Sequence, residues 1–213
     1  MQPEIIEQRT HAWLMQRLGK ATGSRFKDVM ARLKPKKDGQ RGEPAQARKD
    51  YLAELVVERL TGEPVQRYVN AAMQWGTDME PVARNAYVER TGAEVDEVGF
   101  VLHPTLPCGV SPDGYVDLEG LIEIKCPSSA THIETWQSGM DPMHAAQCQG
   151  AMWVCNAPWL DFVSFDPRFP ERLQLYVQRI ERDQAYIDRL ENEVGDFLYE
   201  VDRVVQNLME KSK

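Results

Sequence analysis

Long apolar runs are missing from this 213-residue chain. No stretch approaches the ~20 apolar residues that a helix needs to cross a bilayer. Met1 to Thr10 carries Glu4, Glu7 and Arg9 and lacks the apolar centre of a secretory signal. The resulting expectation is a cytoplasmic protein with no membrane partner. Cysteine is sparse as well: Cys108, Cys126, Cys148 and Cys155 are the whole set, and no two have C-x-x-C spacing. That argues against a thiolate-built zinc or iron–sulfur site and for free thiols packed as small hydrophobes. No internal repeat is visible, which argues against a solenoid or propeller. Positive charge is in deficit, 25 Lys and Arg against 33 Asp and Glu. A net charge of −8 speaks, at first, against a nucleic-acid partner.

The charge that is present is unevenly placed. Residues 1–50 hold 12 Lys and Arg against 6 Asp and Glu, a net of +6. The other 163 residues hold 13 against 27, a net of −14. Such polarity is a partner signal, although a solvated basic surface gives the same pattern. The acidic remainder suits a chain that gathers carboxylates around a divalent metal.

Hydrophobic spacing organises the chain. A short helix is expected at Trp13 to Leu18, and another where Phe26, Val29, Met30 and Leu33 recur at helical spacing. Residues 35–44 read as a mobile basic loop. Helices follow around Tyr51 to Leu60 and from Met73 to Thr91, the latter stopped by Gly92. The period then shortens. Strands are expected around Val95 to Val101, around Val110 to Val116, and at Leu121 to Lys125 after the turn residues Glu119 and Gly120. Helices at 131–139 and 143–155 precede strands at 159–165 and 173–180. A long amphipathic helix closes the chain, with Ile187, Leu190, Val194, Phe197, Val201, Val204 and Leu208 on one stripe. This order predicts an α/β fold: one domain over 1–213, with a mixed central β-sheet flanked by helices on both faces. It would comprise a basic helical segment to about residue 60, a core over about 70–182 and a terminal helix over about 183–211.

One constellation carries chemistry. Pro112-Asp113 is followed by Glu123-Ile124-Lys125. Side chains alternate along a strand, so Glu123 and Lys125 share a face while Ile122 and Ile124 take the other. A strand–turn–strand path can return Asp113 beside Glu123. Two carboxylates, with the backbone carbonyl of Ile124, could bind Mg2+ through hard oxygen donors. A cation there can polarise a phosphodiester and activate water, and the ammonium can orient that water or offset developing charge. The plainer reading also stands: Ser111-Pro112-Asp113-Gly114 is a good turn in its own right, and Glu123 and Lys125 suit a solvated edge strand.

Those residues carry a resemblance. Ser111-Pro112-Asp113-Gly114 and Leu121-Ile122-Glu123-Ile124-Lys125-Cys126-Pro127 resemble the core of the phage lambda exonuclease group, the YqaJ-like viral recombinases, within the restriction-endonuclease-like PD-(D/E)xK nuclease superfamily. Arg17-Leu18-Gly19, Thr22-x-Ser24, Trp75-Gly76-x-x-x-Glu80, Gln147-x-Gln149-x-x-Met152-Trp153 and Tyr176-x-x-x-Ile180-Glu181-Arg182-Asp183 are similar to that group in the same order. Two departures stand out: His103 replaces an acidic residue upstream of the turn, and the basic loop 34–48 aligns poorly.

The resemblance implies roles. Asp113 and Glu123 would hold Mg2+, with Mn2+ as a substitute, and Lys125 would assist the attacking water. Glu80 would enter the same cleft, and Gln149 would position substrate or a metal-bound water. By themselves these two read as a helix-surface acid and a satisfied buried amide. Arg17, Ser24 and Ser111 would bind a 5′-phosphate, where the plain readings are a surface arginine and a helix cap. Trp13 would stack on or wedge between bases, although most tryptophans are core residues. The implied activity is a processive 5′→3′ exonuclease on double-stranded DNA ends. It would release mononucleotides and leave a 3′ single strand for a single-strand annealing protein in phage or prophage recombination. The implied assembly is a homotrimeric ring. A structure-specific endonuclease and a non-catalytic DNA-end-binding protein remain as alternatives.

Overall fold

The computed structural model describes residues 6–34, 42–66 and 70–212. The elements in chain order are α1 (His11–Arg17), β1 (Ala21–Thr22), α2 (Phe26–Val29), α3 (Gln46–Thr61), α4 (Ala71–Thr91), β2 (Val95–Asp96), β3 (Val101–Leu102), β4 (Cys108–Val110), β5 (Gly114–Val116) and β6 (Gly120–Lys125). They continue with α5 (Ser129–Ser138), α6 (Ala145–Cys155), β7 (Trp159–Phe165), α7 (Glu171–Gln174), β8 (Leu175–Glu181) and α8 (Gln184–Lys211). Local chemistry sets the helix ends. The side chains of Thr10, Asn70, Ser128 and Asp183 accept from backbone N–H groups of the first turns of α1, α4, α5 and α8. Gly92 closes α4 at φ 73°, a left-handed conformation that costs other residues more.

The main sheet has five strands in the order β2-β5-β6-β7-β8. It is mixed: β6 pairs with β7 in parallel, and the other neighbours are antiparallel. Helices cover both faces, as the order of elements predicts. Ile122 and Ile124 pack with Ala83 and Tyr87 of α4. Leu121 packs on the opposite side with Cys148, Ala151 and Met152 of α6. A smaller sheet, β1-β4-β3, lies in the other cluster, where α2, α3 and α6 pack against α8. Tyr51 and Phe197 stack there with ring centroids 5.3 Å apart.

Several expectations shift. The helix expected to reach Leu33 stops at Val29, because Arg32 pairs with Pro44 in an isolated bridge and Leu33 turns outward. The strand expected around Val95 to Val101 splits into two short strands that belong to different sheets. The β5–β6 turn centres on Asp117 and Leu118, both at positive φ, and Gly120 already belongs to β6. Leu208, assigned to the buried stripe of α8, is 45% exposed. The basic loop lies largely outside the described residues. The four cysteines are free, and burial pushes the thiols of Cys108 and Cys126 up to about 12.

The N-terminal positive charge has an internal partner. Arg32 pairs with Glu193 at 2.8 Å, Arg48 with Glu200 at 2.7 Å, and Arg59 with Asp202. All three acids lie on α8. Part of the polarity between the two ends of the sequence is thus the seam between α8 and the helices it covers. Tyr51, Leu55 and Val56 of α3 share one core with Ile187, Leu190 and Phe197 of α8.

Gly120 shows how tightly β6 is seated. A Cβ there would lie 2.2 Å from the indole of Trp159. That ring cannot swing away freely, because Arg179 stacks on it at 3.6 Å while forking onto Asp161 at 2.9 Å. Gly120→Ala should therefore destabilise the protein by about 1–3 kcal/mol, the range for overpacking. Urea unfolding checks this; an unchanged midpoint would mean that the strand relaxes at no cost.

Candidate active site

β7 pairs with β6 out to Lys125, but β5 begins only opposite Ile122 and leaves the edge of Glu123 to Lys125 on its side without a strand neighbour. Asp113, just before β5, fills that edge: its N–H donates to the carbonyl of Ile122 at 3.1 Å, and its Oδ2 accepts from the N–H of Ile124 at 2.6 Å. N–H and C=O of one strand residue point to the same side. The carbonyl of Ile124 therefore faces the edge where Asp113 sits. Glu123 projects from β6 on the α6 side and is only 2% exposed. Lys125, two residues on, returns along the same face to pair with Glu123 Oε1.

Gln147 completes this group. Its Nε2 donates to Glu123 Oε1 at 2.5 Å, and its Oε1 lies 3.5 Å from Lys125 Nζ. Burial raises the Asp113 carboxyl well above its usual range, and the charges of Glu123 and Glu80 push it further. Burial alone would lower the Lys125 ammonium, but Glu123 and Asp113 outweigh it and hold its proton more tightly than usual. The site is therefore a cluster in which two acids compete and one cation is secured.

A divalent cation fits this donor set. Among the described residues no three His, Cys, Asp or Glu side chains converge as a closed metal cluster. What converges is two carboxylates and a carbonyl, all hard oxygen donors. Lys125 and Gln147 meet the same oxygen of Glu123, and Ile124 meets one oxygen of Asp113. Asp113 Oδ1 and Glu123 Oε2 accept from no protein donor among the described residues. An open, oxygen-only set suits an ion that keeps several of its waters.

A second group adjoins the first. Trp13 Nε1 and Arg17 Nη1 both donate to Ser111 Oγ, at 3.0 and 3.2 Å. The Arg17 guanidinium also lies 4.0 Å from the Trp13 ring centre. Ser24 is exposed in the turn after β1. Parallel pairing sets Thr22 beside Gly109, so Ser24 and Ser111 each follow two residues later at the same end of the small sheet. Arg17 and Ser111 thus meet two residues from Asp113, with Ser24 following β1 at the same end of the small sheet.

The sequence pattern of the YqaJ-like viral recombinase domain matches residues 12–158. The chain belongs to the YqaJ-like viral recombinase family. It is 44% identical to an alkaline exonuclease from Laribacter hongkongensis, over 95% of this chain and 98% of that one, with a TM-score of 0.86. The same enzyme in complex with dAMP matches at 45% identity, equal coverage and a TM-score of 0.86. A phage-related exonuclease from Haemophilus somnus shares the fold, with a TM-score of 0.68 at 18% identity over 89% of this chain and 96% of that one. Among curated proteins no sequence matches the chain significantly. These relationships place this YqaJ-like protein among the exonucleases, with a divalent metal implied.

Within this YqaJ-like site, one expected residue lies elsewhere. Gln149 does not reach the carboxylates. It is buried, donates to the carbonyl of Glu181 and accepts from the N–H of Asp183, both at 2.9 Å. Glu181 sits beside Trp159 at the start of β7, the opposite end of the sheet from Lys125. Gln147 takes the place expected for Gln149. Glu80 comes from the α4 side and does face the site, since its charge acts on Asp113. Its two oxygens, however, are taken by Arg9 and by Arg84, the latter at 3.0 Å. His103, the departure from the family pattern, packs 4.6 Å from Trp153 and accepts from the N–H of Leu106 at 3.1 Å. That residue shapes its loop.

Proposed function

We propose that this protein is a Mg2+-dependent exonuclease that degrades double-stranded DNA from the 5′ end. It releases mononucleotides processively and leaves a 3′ single strand for recombination by annealing in a phage or prophage. The observation that carries this reading is the turn Ser111–Asp113: a hydroxyl held by Trp13 and Arg17 sits two residues from a carboxylate beside Glu123. Two residues of extended chain span about 7 Å, comparable to one nucleotide of backbone. A terminal phosphate gripped at Ser111 would therefore leave the next phosphodiester at the carboxylates. Binding of dAMP by the Laribacter relative supports a mononucleotide product.

Each residue then has a task. Arg17 presents a planar fork to the 5′-phosphate dianion, and Ser24 and Ser111 add hydroxyl donors. Trp13 braces that pocket and offers a ring edge to the terminal base. Asp113, Glu123 and the Ile124 carbonyl hold Mg2+, with Mn2+ able to replace it. The bound ion supplies Lewis acidity and a more acidic water. Lys125 orients the attacking water and offsets charge on the phosphate. Gln147 holds Glu123 by its Oε1, and Glu80 balances Arg9 and Arg84 at the rim. Family membership supports a single-strand annealing protein as partner, a bacterial cytoplasm as the setting, and a homotrimeric ring through which a tethered duplex is degraded processively.

The end of the DNA is the discriminating variable. A duplex with 5′-hydroxyl ends should be degraded more slowly than its 5′-phosphorylated counterpart. Loss of a charge-assisted bidentate contact is worth about 1.5–3 kcal/mol, roughly ten- to a hundred-fold. Arg17→Ala should erase most of that preference, and the two losses should not add, because both remove one contact. Product mapping on a linear duplex phosphorylated at one end reads the result. Equal rates at both ends for the wild type, or cutting of a covalently closed circle, would replace the exonuclease by a structure-specific endonuclease. Binding of ends without hydrolysis would make it an end-binding protein.

A further inference from the structure

The turn that carries Asp113 is held from a part of the chain with no role so far. Gln8 Nε2 donates to two backbone carbonyls, Val98 at 2.8 Å and Pro112 at 3.0 Å. Both partners are pure acceptors, so only the NH2 end of this amide can face them. The Pro112 carbonyl belongs to the peptide that enters Asp113. The N–H of the same peptide donates to Ile122 on β6. That single peptide unit is thus pinned from both ends, by Gln8 on one side and the sheet on the other.

The surrounding segment is built to deliver Gln8. The Ile6 backbone lies so close to Gly99 that a Cβ there would meet the Ile6 carbonyl at 2.6 Å. Arg9, the next residue, pairs with Glu80. Thr10 caps α1, and α1 then brings Trp13 and Arg17 to Ser111. Residues 8–17 therefore hold the turn 111–113 at Ser111 and at Pro112, and touch the acid beside it.

We propose that Gln8 is a positioning residue for Asp113: by fixing the Pro112–Asp113 peptide it aims the carboxylate for divalent-cation binding. The idea rests on the metal-dependent reading given above. Asp113 is the part of the site most in need of such support. Its carboxylate is buried, resisted by Glu123 and Glu80, and carried on a turn and not in mid-strand. Without the Gln8 bonds the turn can rotate to move that carboxylate away from the two other acids, at the expense of the cation geometry.

The test uses the full-length protein and Mn2+ alone. Calorimetric titration of the metal-free protein, without DNA, compares the wild type with Gln8→Met, which keeps the shape but donates nothing, and Gln8→Glu, which turns an acceptor toward two carbonyls. Residues that orient metal ligands typically contribute roughly 10- to 100-fold in affinity. Both variants should bind Mn2+ weaker by that factor, need correspondingly more Mg2+ for half-maximal cleavage, and recover most of the wild-type rate at saturating metal. Their melting in chelator should stay near that of the wild type. Unchanged Mn2+ affinity in both variants overturns the proposal. So does a collapse of the metal-free fold, which would make Gln8 a structural tie only. A wild type that neither binds Mn2+ nor cleaves DNA would instead remove the underlying functional reading.

Discussion

Asp113→Asn and Glu123→Gln should each abolish nearly all DNA cleavage while leaving the protein folded. Each removes a charged oxygen donor from an open set of two carboxylates and one carbonyl. A metal's contribution to transition-state charge is several kcal/mol. At 1.36 kcal/mol per tenfold, a loss of about 4 kcal/mol is roughly a 10³-fold slower reaction. Single-turnover digestion of a 5′-phosphorylated duplex, with circular dichroism as the folding control, measures it. Near-wild-type cleavage by either variant would disprove the assignment. Stability should move the other way for Asp113→Asn. Burial, Glu123 and Glu80 raise the folded-state proton affinity of Asp113, so the folded metal-free protein binds that proton better than the unfolded chain does. Stability from this group is then present below the unfolded value, about 3.9, and is lost as pH rises through the higher folded value. At neutral pH in chelator, Asp113→Asn should therefore melt no lower than the wild type, and it should lose the stabilisation that added Mg2+ confers.

Lys125→Ala should slow the chemical step by about 10²–10⁴-fold, the range for a positioned proton donor or charge stabiliser. DNA affinity should change little, because one half-buried ammonium paired with Glu123 adds little to the contacts that grip a duplex. The two carboxylates hold the Lys125 proton more tightly than usual, so the residue acts as an ammonium. Lys125→Met should therefore fall as far as Lys125→Ala, because an aliphatic arm of similar length carries no charge. Quench-flow turnover beside equilibrium anisotropy with labelled DNA separates the two effects. Collapsed affinity with normal turnover of bound DNA would reduce Lys125 to an electrostatic anchor.

The sequence by itself determined what depends on neighbours a few residues apart. Alternation put Glu123 and Lys125 on one face of β6 and Ile122 and Ile124 on the other. Helical periods, with Gly92 as a stop, placed α4, α6 and α8 to within a few residues, and α3 apart from its first five residues. The motif residues, with the family they resemble, were legible because turn, strand and carboxylate spacing are local features. Tertiary structure alone decided the rest. Gln147 and Gln149 lie two positions apart, about 200° around a helix, so a motif cannot say which one faces Glu123; the rotation of α6 against the sheet does. Arg32, Arg48 and Arg59 looked like a basic surface because their acidic partners stand more than 140 residues away on α8. Glu80 could be placed in the cleft by its motif, but its pairing with Arg9, 71 residues away, comes only from packing. Gln8 carried no signal, since its partners are backbone carbonyls 90 and 104 residues distant. Side-chain period encodes which way a residue points within its own element. Which charges and amides meet depends on packing between elements far apart in the chain, and no local pattern records that.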